Sequence, residues 1–420
     1  MSALFADKAY AAFKIRDFRL FISARFFLTL ALQMQSVIVG WQVYALTKDP
    51  FSLGLIGLAE AVPFLGMALY AGHVADKFAR KKIILVSTCL YFVCALVLLG
   101  LSLELTLFKN KDLLIIIYGV IFLSGLARAF FYPSQSALMA QIVPRELYVN
   151  SSTWNSTVWH IAAVTGPAIG GLVYGFWGQN FAYSFVIVFA AISLVLFFYL
   201  KQYPVPKKSK VEPLLDSLKA GLKFVMNKKV ILGAMALDML AVLFGGAVAM
   251  LPVFAAEVLK TGPEGLGLLR AAPALGAVLM SFILAYNPPL RMAGKKLLTG
   301  VAGFGLCMIF FALSTNFWLS FLLLALSGVF DNISVIIRGS ILQIFTPDEM
   351  RGRVASVNSI FIGSSNEIGS FESGLAARIM GLIPSVVFGG CMTIVVVTGI
   401  GRFVPAVRTL DLRQDALNRG

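Results

Sequence analysis

Gly72-His73-Val74-Ala75-Asp76-Lys77-Phe78-Ala79-Arg80-Lys81-Lys82 sets five charges and a glycine between two long apolar runs. A bilayer's hydrocarbon core takes roughly 20 residues of apolar helix to cross, and charge at its centre is costly. This stretch therefore lies in water, and the runs on either side cross the membrane and turn back. Outward from it, apolar runs fall at about 20–46, 51–73, 82–103, 113–140, 150–177 and 179–200, then at about 230–256, 263–287, 296–314, 317–345, 354–380 and 382–404. Twelve spans put both termini on one side, and the expected fold class is an all-α membrane protein.

Composition points the same way without any motif. Apolar residues make up 59% of the chain and charged ones 13%, against about 25% charged in soluble domains. The net charge of +15 is spread over many short loops rather than gathered on one face, so it marks loops and not a nucleic-acid surface. Cys89, Cys94, Cys307 and Cys391 all fall within apolar runs, with neither zinc spacing nor a disulfide framework. The first 19 residues carry four basic side chains but no short apolar core ending in a cleavage site, so they do not form a secretory signal. No Gly-rich loop ending in Lys-Ser/Thr, no metal-ligand cluster and no nucleophile motif is present, so the chain is expected to be no enzyme, with no cofactor and no metal.

Lysines and arginines give the orientation. Those outside the spans divide 26 to 4, the minority being Lys48, Lys109, Lys111 and Lys260. Positively charged loops stay in the cytoplasm, which puts both termini there; the expected location is the plasma membrane, the inner membrane of a bacterium. The longest connection, 201–229, carries eight of the 26 and Pro204, Pro206 and Pro213. Within it Leu214, Leu218, Leu222 and Val225 recur at helical spacing while Lys219, Lys223 and Lys228 take other faces, predicting an amphipathic helix on the inner membrane surface. The expected organisation is a six-helix bundle over 1–200, a cytoplasmic linker over 201–229 and a second six-helix bundle over 230–420.

An internal repeat relates the two bundles. A shift of 203 residues aligns Ser124-Gly125 with Ser327-Gly328, Pro144 with Pro347, Glu146 with Glu349, Asn155-Ser156 with Asn358-Ser359, Gly166 with Gly369, Gly171-Leu172 with Gly374-Leu375 and Gly178 with Gly381, without a gap. A second shift of 210 pairs Gly57-Leu58 with Gly267-Leu268, Ala61 with Ala271, Pro63 with Pro273 and Leu65-Gly66 with Leu275-Gly276. The alternative, that polytopic proteins place Gly and Pro at loop ends by habit, is weakened by the unbroken register.

The opening stretch, Gly-x-x-x-Asp-Lys-x-x-Arg-Lys-Lys, resembles the signature loop between the second and third helices of the major facilitator superfamily of transporters, with Ala79 where that family usually has glycine. Gly166-Pro167-Ala168-Ile169-Gly170-Gly171 is similar to the Gly-Pro-x-x-Gly-Gly motif of drug and proton antiporters, with Ala162 in place of its upstream glycine. Trp41-Gln42-Val43-Tyr44 with Gly54 to Glu60, and Arg351-Gly352-Arg353 through Asn366-Glu367, resemble the exporter branch that includes enterobactin and macrolide efflux proteins. The resemblance implies two pseudo-symmetric six-helix bundles and export of a small molecule. It also implies a cytoplasmic latch in which Gly72, Asp76 and Arg80 meet Arg351 and Arg353 at the start of the eleventh helix.

Ionisable residues inside spans are costly, so each is a functional candidate facing the interior or a water-filled cavity. Glu60, Asp238, Asp331 and Glu367 are candidates for proton coupling, the alternative for each being a static ion pair or a group bonded to backbone. Arg25, Gln33, Trp41, Arg128, Asp238, Asp331, Asn332, Asn358 and Glu372 are candidates for the substrate cavity. Asn358, Ser365 and Glu372 fall at seven-residue intervals, one polar stripe of the eleventh helix. The repeat sets Arg128 of the fourth span opposite Asp331 of the tenth, and in the superfamily those spans line the cavity. Either the two charges bridge it, or each bonds within its own bundle.

The expected protein is a twelve-span secondary transporter that, as the resemblance implies, exports an amphipathic small molecule, drug-like or siderophore-like, by alternating access as a proton antiporter, with a proton or sodium ion as the coupling partner. The runner-up is a symporter importing a nutrient; a sensor built on a transporter fold is a third class. In a cysteine-free background, Lys208→Cys is expected to label only from the cytoplasm and Asn110→Cys only from outside. Labelling of Lys208→Cys by an impermeant reagent in intact cells overturns the orientation.

Overall fold

A computed structural model of the chain describes residues 10–103, 110–204 and 214–413, and it is helical throughout, with no strand among these residues. Twelve long helices follow in order. In the first half they are α1 (Arg16–Thr47), α2 (Pro50–Lys77), α3 (Arg80–Leu103), α4 (Asn110–Ile142), α5 (Tyr148–Trp177) and α6 (Gln179–Phe198). In the second half, α7 runs as regular helix over Lys229–Gly245 and as tighter and wider turns to Val258, followed by α8 (Pro263–Tyr286), α9 (Ala293–Leu313), α10 (Phe317–Phe345), α11 (Asp348–Met380) and α12 (Leu382–Phe403). A linker helix, Leu214–Asn227, stands between the halves.

Among the described residues, eleven helices are long and apolar enough to cross a membrane; α11 falls short on composition, not on length, having 33 residues. Its middle reads Ser364-Ser365-Asn366-Glu367 and then Ser370, Glu372 and Ser373, and Ser365, Glu367 and Ser373 are buried. Neighbouring helices cover these three, while Asn366 is exposed and bonds back to the Ile362 carbonyl at 3.0 Å, two ways in which a polar helix is tolerated at membrane depth.

Helix starts follow local chemistry. Asp49 Oδ1 accepts from the Phe51 amide at 3.1 Å ahead of α2, whose first residue is Pro50, and Pro263 likewise opens α8. Asn316 caps α10 by accepting from the Leu319 amide at 3.0 Å. A proline at the first helical position loses no hydrogen bond and has its φ preset for the helix.

Two boundaries differ from the sequence expectation. The charged stretch that begins at Gly72 is mostly helix, since α2 continues to Lys77 and only Phe78 and Ala79 separate it from α3. Helical backbone can project beyond the hydrocarbon with its charges in water, so the charges mark the membrane exit and not the helix end. The linker helix, expected on the membrane surface, packs instead against α7 and α11: Val225 is fully buried in a cluster with Ile231, Leu237 and Val354, and Leu218 packs against it. Residues 205–213 of the linker, with Lys208, and 104–109, with Lys109, lie outside the described residues.

The fold divides into two compact units. One comprises the described parts of 1–46, 59–209 and 262–271; the other those of 47–58, 210–261 and 272–413. In the first, Phe18, Phe21, Leu28, Ile84, Phe131 and Phe197 draw α1, α3, α4 and α6 into one core. Asp17 Oδ2 accepts from the Tyr203 hydroxyl at 2.8 Å, and burial together with this contact pushes the phenol up to about 12. In the second, Ile231, Leu237, Leu297, Ile337, Val354 and Val407 join α7, α9, α10 and α11.

The repeat is visible in the backbone. Gly178 and Gly381, aligned by the 203-residue shift, both adopt positive φ, 87° and 90°, and close α5 and α11 by donating to the carbonyls of Tyr174 and Ala377. Only glycine takes that region without strain. In each half the third helix packs against the fourth and the sixth. A Cβ at Gly125 of α4 would sit 2.9 Å from Pro63 Cγ of α2, and one at Gly328 of α10 would run into the Pro273 carbonyl of α8.

Glycines also bring backbones together at α5 and α8. A Cβ at Gly171 would lie 2.6 Å from Gly267 Cα, and one at Gly267 would lie 2.8 Å from Gly171 Cα. In the other unit Gly374 of α11 meets Gly54 of α2, a Cβ at Gly374 falling 2.7 Å from Gly54 Cα. Without a hydrophobic force between helices in lipid, such close approach is what holds them. Gly166, Gly170 and Gly171 of the Gly-Pro motif therefore act as packing surfaces: a Cβ at Gly166 would sit 2.6 Å from Gln33 Cβ, and one at Gly170 would sit 3.0 Å from Met34 Cα, both on α1. Gly171→Val and Gly267→Val are each expected to abolish transport and lower the melting midpoint. Gly66→Val, at a position with nothing within 4 Å, is expected to do neither. Wild-type melting and transport in either contact variant contradicts the packing role.

Candidate functional site

The first unit holds an ion pair between two predicted site residues. Arg128 of α4 donates to Glu60 Oε1 of α2 at 2.6 Å, with side-chain exposures of 22% and 30%. Gly125 makes this possible, because a Cβ there would lie 3.1 Å from Glu60 Cα and hold the helices apart, and Arg128 follows it by one turn on the same face. The guanidinium also stacks over Phe64, 4.7 Å from the ring centroid, with Tyr132 at 5.7 Å. Aromatic faces attract a cation, so the pair is flanked by groups that keep Arg128 in place.

Five other predicted or neighbouring residues of this unit are positioned by α1. Arg25 is buried and bonds Asn155 Oδ1 of α5, while Trp41 is half-buried. Gln42, next to it, is buried and accepts from the Tyr183 hydroxyl at 2.7 Å. Gln33 packs on Gly166, and Ser36 accepts at 2.6 Å from Arg270 of α8.

The second unit holds a more deeply buried pair. Asp238 of α7 and Arg338 of α10 form a salt bridge with side-chain exposures of 9% and 7%. Asn332 Oδ1 accepts from Ser281 Oγ at 3.2 Å. Asp331 and Glu372 make no hydrogen bond or ion pair among the described residues. Glu367 is buried, with its carbonyl against Gly57, while Asn358 is half-buried and Ser365 Oγ bonds back to the carbonyl of Phe361 at 2.5 Å. Where α7 breaks at Gly246, Ser373 of α11 donates to the freed carbonyl at 3.3 Å.

The expected latch residues lie at helix ends. Gly72 has nothing within 4 Å of a Cβ position, and Asp76 is half-buried near the end of α2. Arg80 turns to carbonyls, its Nε to Ala75 O and its Nη1 to Ala137 O, each at 3.4 Å, and Lys81 donates to Phe198 O at 2.7 Å. Cations here complement the negative ends of α2, α4 and α6. Arg351 is exposed, and the Arg353 backbone lies against Gly221 of the linker helix.

Of the intramembrane charges, then, Glu60 and Arg128 come together, as do Asp238 and Arg338. Partners such as Asn155 and Ser36 are neutral and carry no signal in the sequence. The 210-residue shift also relates Glu60 to Arg270, a correspondence of opposite charges that residue identity does not reveal.

A family model described as transmembrane secretion effector matches residues 7–418. The enterobactin exporter EntS of Shigella boydii serotype 18 is 28% identical over 342 residues, covering 80% of this chain and 79% of its own; that of Citrobacter koseri is 27% identical with the same coverage. Among solved structures, a D-xylose-proton symporter is similar at a TM-score of 0.72 and 12% identity, covering 93% of this chain and 98% of its own. A bacterial homolog of the human lysosomal transporter Spinster gives 0.68 at 15% identity, covering 95% and 98%. At that identity the likeness bears on the fold alone, and the fold is that of the superfamily. The chain belongs to the transmembrane secretion effector family of the major facilitator superfamily, a family of multi-pass membrane transporters and not of enzymes.

Proposed function

We propose that this protein exports an amphipathic small molecule from the cytoplasm by alternating access, driven by proton entry. The observation that carries the direction is the match to enterobactin exporters along 80% of the chain. A bacterial inner-membrane location rests on the likeness to bacterial exporters, and cytoplasmic termini rest on the 26-to-4 division of basic residues. The working division is a bundle over 1–200, a linker over 201–229 and a bundle over 230–420.

Glu60 and Arg128 supply a coupling element. A carboxylate that is 30% exposed inside a span can exchange a proton with a water-filled cavity, and its protonation removes the charge that holds Arg128. Released, Arg128 is free to change partner, which ties proton occupancy to the arrangement of α2 and α4. Asp238 is the weaker candidate because Arg338 holds it in a nearly dry site, where breaking the pair leaves an uncompensated charge. Asp331 and Glu367 remain further candidates, and Asp76 with Arg351 and Arg353 forms the proposed cytoplasmic latch.

Inside-out vesicles with an acidic lumen are expected to accumulate enterobactin, and a protonophore to abolish the accumulation. Glu60→Gln is expected to lower the rate about tenfold or more, equivalent to about 1.4 kcal/mol in the barrier, at unchanged membrane abundance. Asp76→Asn is expected to reduce the rate as well. Accumulation only when the gradient is reversed marks an importer, and full activity in Glu60→Gln removes the coupling role.

A further inference from the structure

The repeat exchanges charges between the halves. Glu60 of α2 corresponds to Arg270 of α8 under the 210-residue shift, and Arg128 of α4 to Asp331 of α10 under the 203-residue shift. In the first half the acid and the base are paired at 2.6 Å. Arg270 forms no ion pair among the described residues; its Nη1 donates to the neutral Ser36 Oγ at 2.6 Å, and its Nε is buried without a hydrogen bond.

We infer that Arg270 and Ser36 form an anion-binding subsite, which takes a carboxylate or an acidic phenol on an otherwise apolar substrate. A guanidinium has five N–H donors in a planar fork that matches two acceptor oxygens, and an uncompensated one inside a span is costly unless a negative group reaches it. Ser36 is exposed and Arg270 only half-buried, so the pair is open on one side, while the Nε is buried with its donor unspent. An arginine facing lipid would instead extend toward the headgroups. Arg270 is seven residues into α8, about 10 Å from its start, and it is turned onto Ser36, eleven residues or about 16 Å along α1 from its end.

The surrounding backbone holds the arginine there. Gly267, one turn before Arg270, is pressed against Gly171 and the Pro167 carbonyl of α5, while Gly170 of the same motif is pressed against Met34 of α1. Side chains larger than hydrogen at these glycines would separate α8 from α5 and α5 from α1, and so carry the guanidinium away from Ser36. The Gly-Pro motif thus positions a cation for substrate.

This subsite deepens the proposed export function by naming the charge class of the substrate. The test reads equilibrium binding and not flux, so a failure of direction or of coupling leaves its result unaffected. Purified full-length chain in a neutral detergent is titrated with fluorescein, which bears a carboxylate and an acidic phenol, and with rhodamine 123, a cation on the same ring system. Tighter binding of fluorescein is expected. Arg270→Gln is expected to weaken fluorescein about tenfold, equivalent to about 1.4 kcal/mol, and to leave rhodamine 123 unchanged, while Arg270→Lys keeps most of the preference. Should Arg270→Gln melt out, Ser36→Ala still reads the site, with a severalfold loss confined to fluorescein. No preference for fluorescein in the wild type overturns the proposal, as does a preference that survives Arg270→Gln or, where that variant does not fold, Ser36→Ala.

Discussion

Hydrocarbon offers no water to a charge, and the organisation of this protein follows from where its few intramembrane charges find partners. Asp238 with Arg338 and Glu60 with Arg128 are each closed within one compact unit, so each pair joins two helices of that unit. Taking both charges out of water costs several kcal/mol per ion, which only good geometry and close packing recover. Glycine supplies the closeness. Gly125 brings α4 onto α2 one turn from Arg128, and Gly171 with Gly267 brings α8 onto α5 one turn from Arg270.

That arrangement separates three kinds of charge. The Asp238–Arg338 pair is nearly dry and ties α7 to α10, a part that holds shape. Glu60 and Arg128 are partly exposed and flanked by Phe64 and Tyr132, so water and a proton can reach them. Arg25 and Arg270 have only neutral partners, Asn155 and Ser36, and of the two Arg270 is the less buried. Under the proposed function the gradation would run from a fixed pair to an exchangeable one to a charge left for substrate, because a fully satisfied cavity would bind nothing.

Much of the fold was legible before any coordinates. Apolar run length gave the helix count, and the 203-residue register anticipated the positive φ shared by Gly178 and Gly381. The turn before α3 was misjudged in length because charge reports where a helix leaves the hydrocarbon, whereas hydrogen bonding decides where it ends, at Lys77. The linker helix was placed on the membrane because its leucine face fits lipid and protein equally well; Val225 chose a protein core. Site residues were harder to read. Glu60 and Arg128 could be named as charged and within spans, but their pairing depends on rotation of α4 about its axis, which Gly125 sets. The partners of Arg25 and Arg270 are neutral, so no charge pattern reveals them.

The pairing of intramembrane charges within a unit is tested most directly by a thermal-melting cycle on the drier pair. Asp238→Asn and Arg338→Gln, alone and together, are compared with the wild type in one detergent. Removing one partner of a buried pair typically costs about 3–5 kcal/mol because the other charge is stranded, whereas removing both strands neither. The double variant is expected to melt above either single variant. A double variant that melts at or below the less stable single one contradicts the account, since the two residues would then act independently.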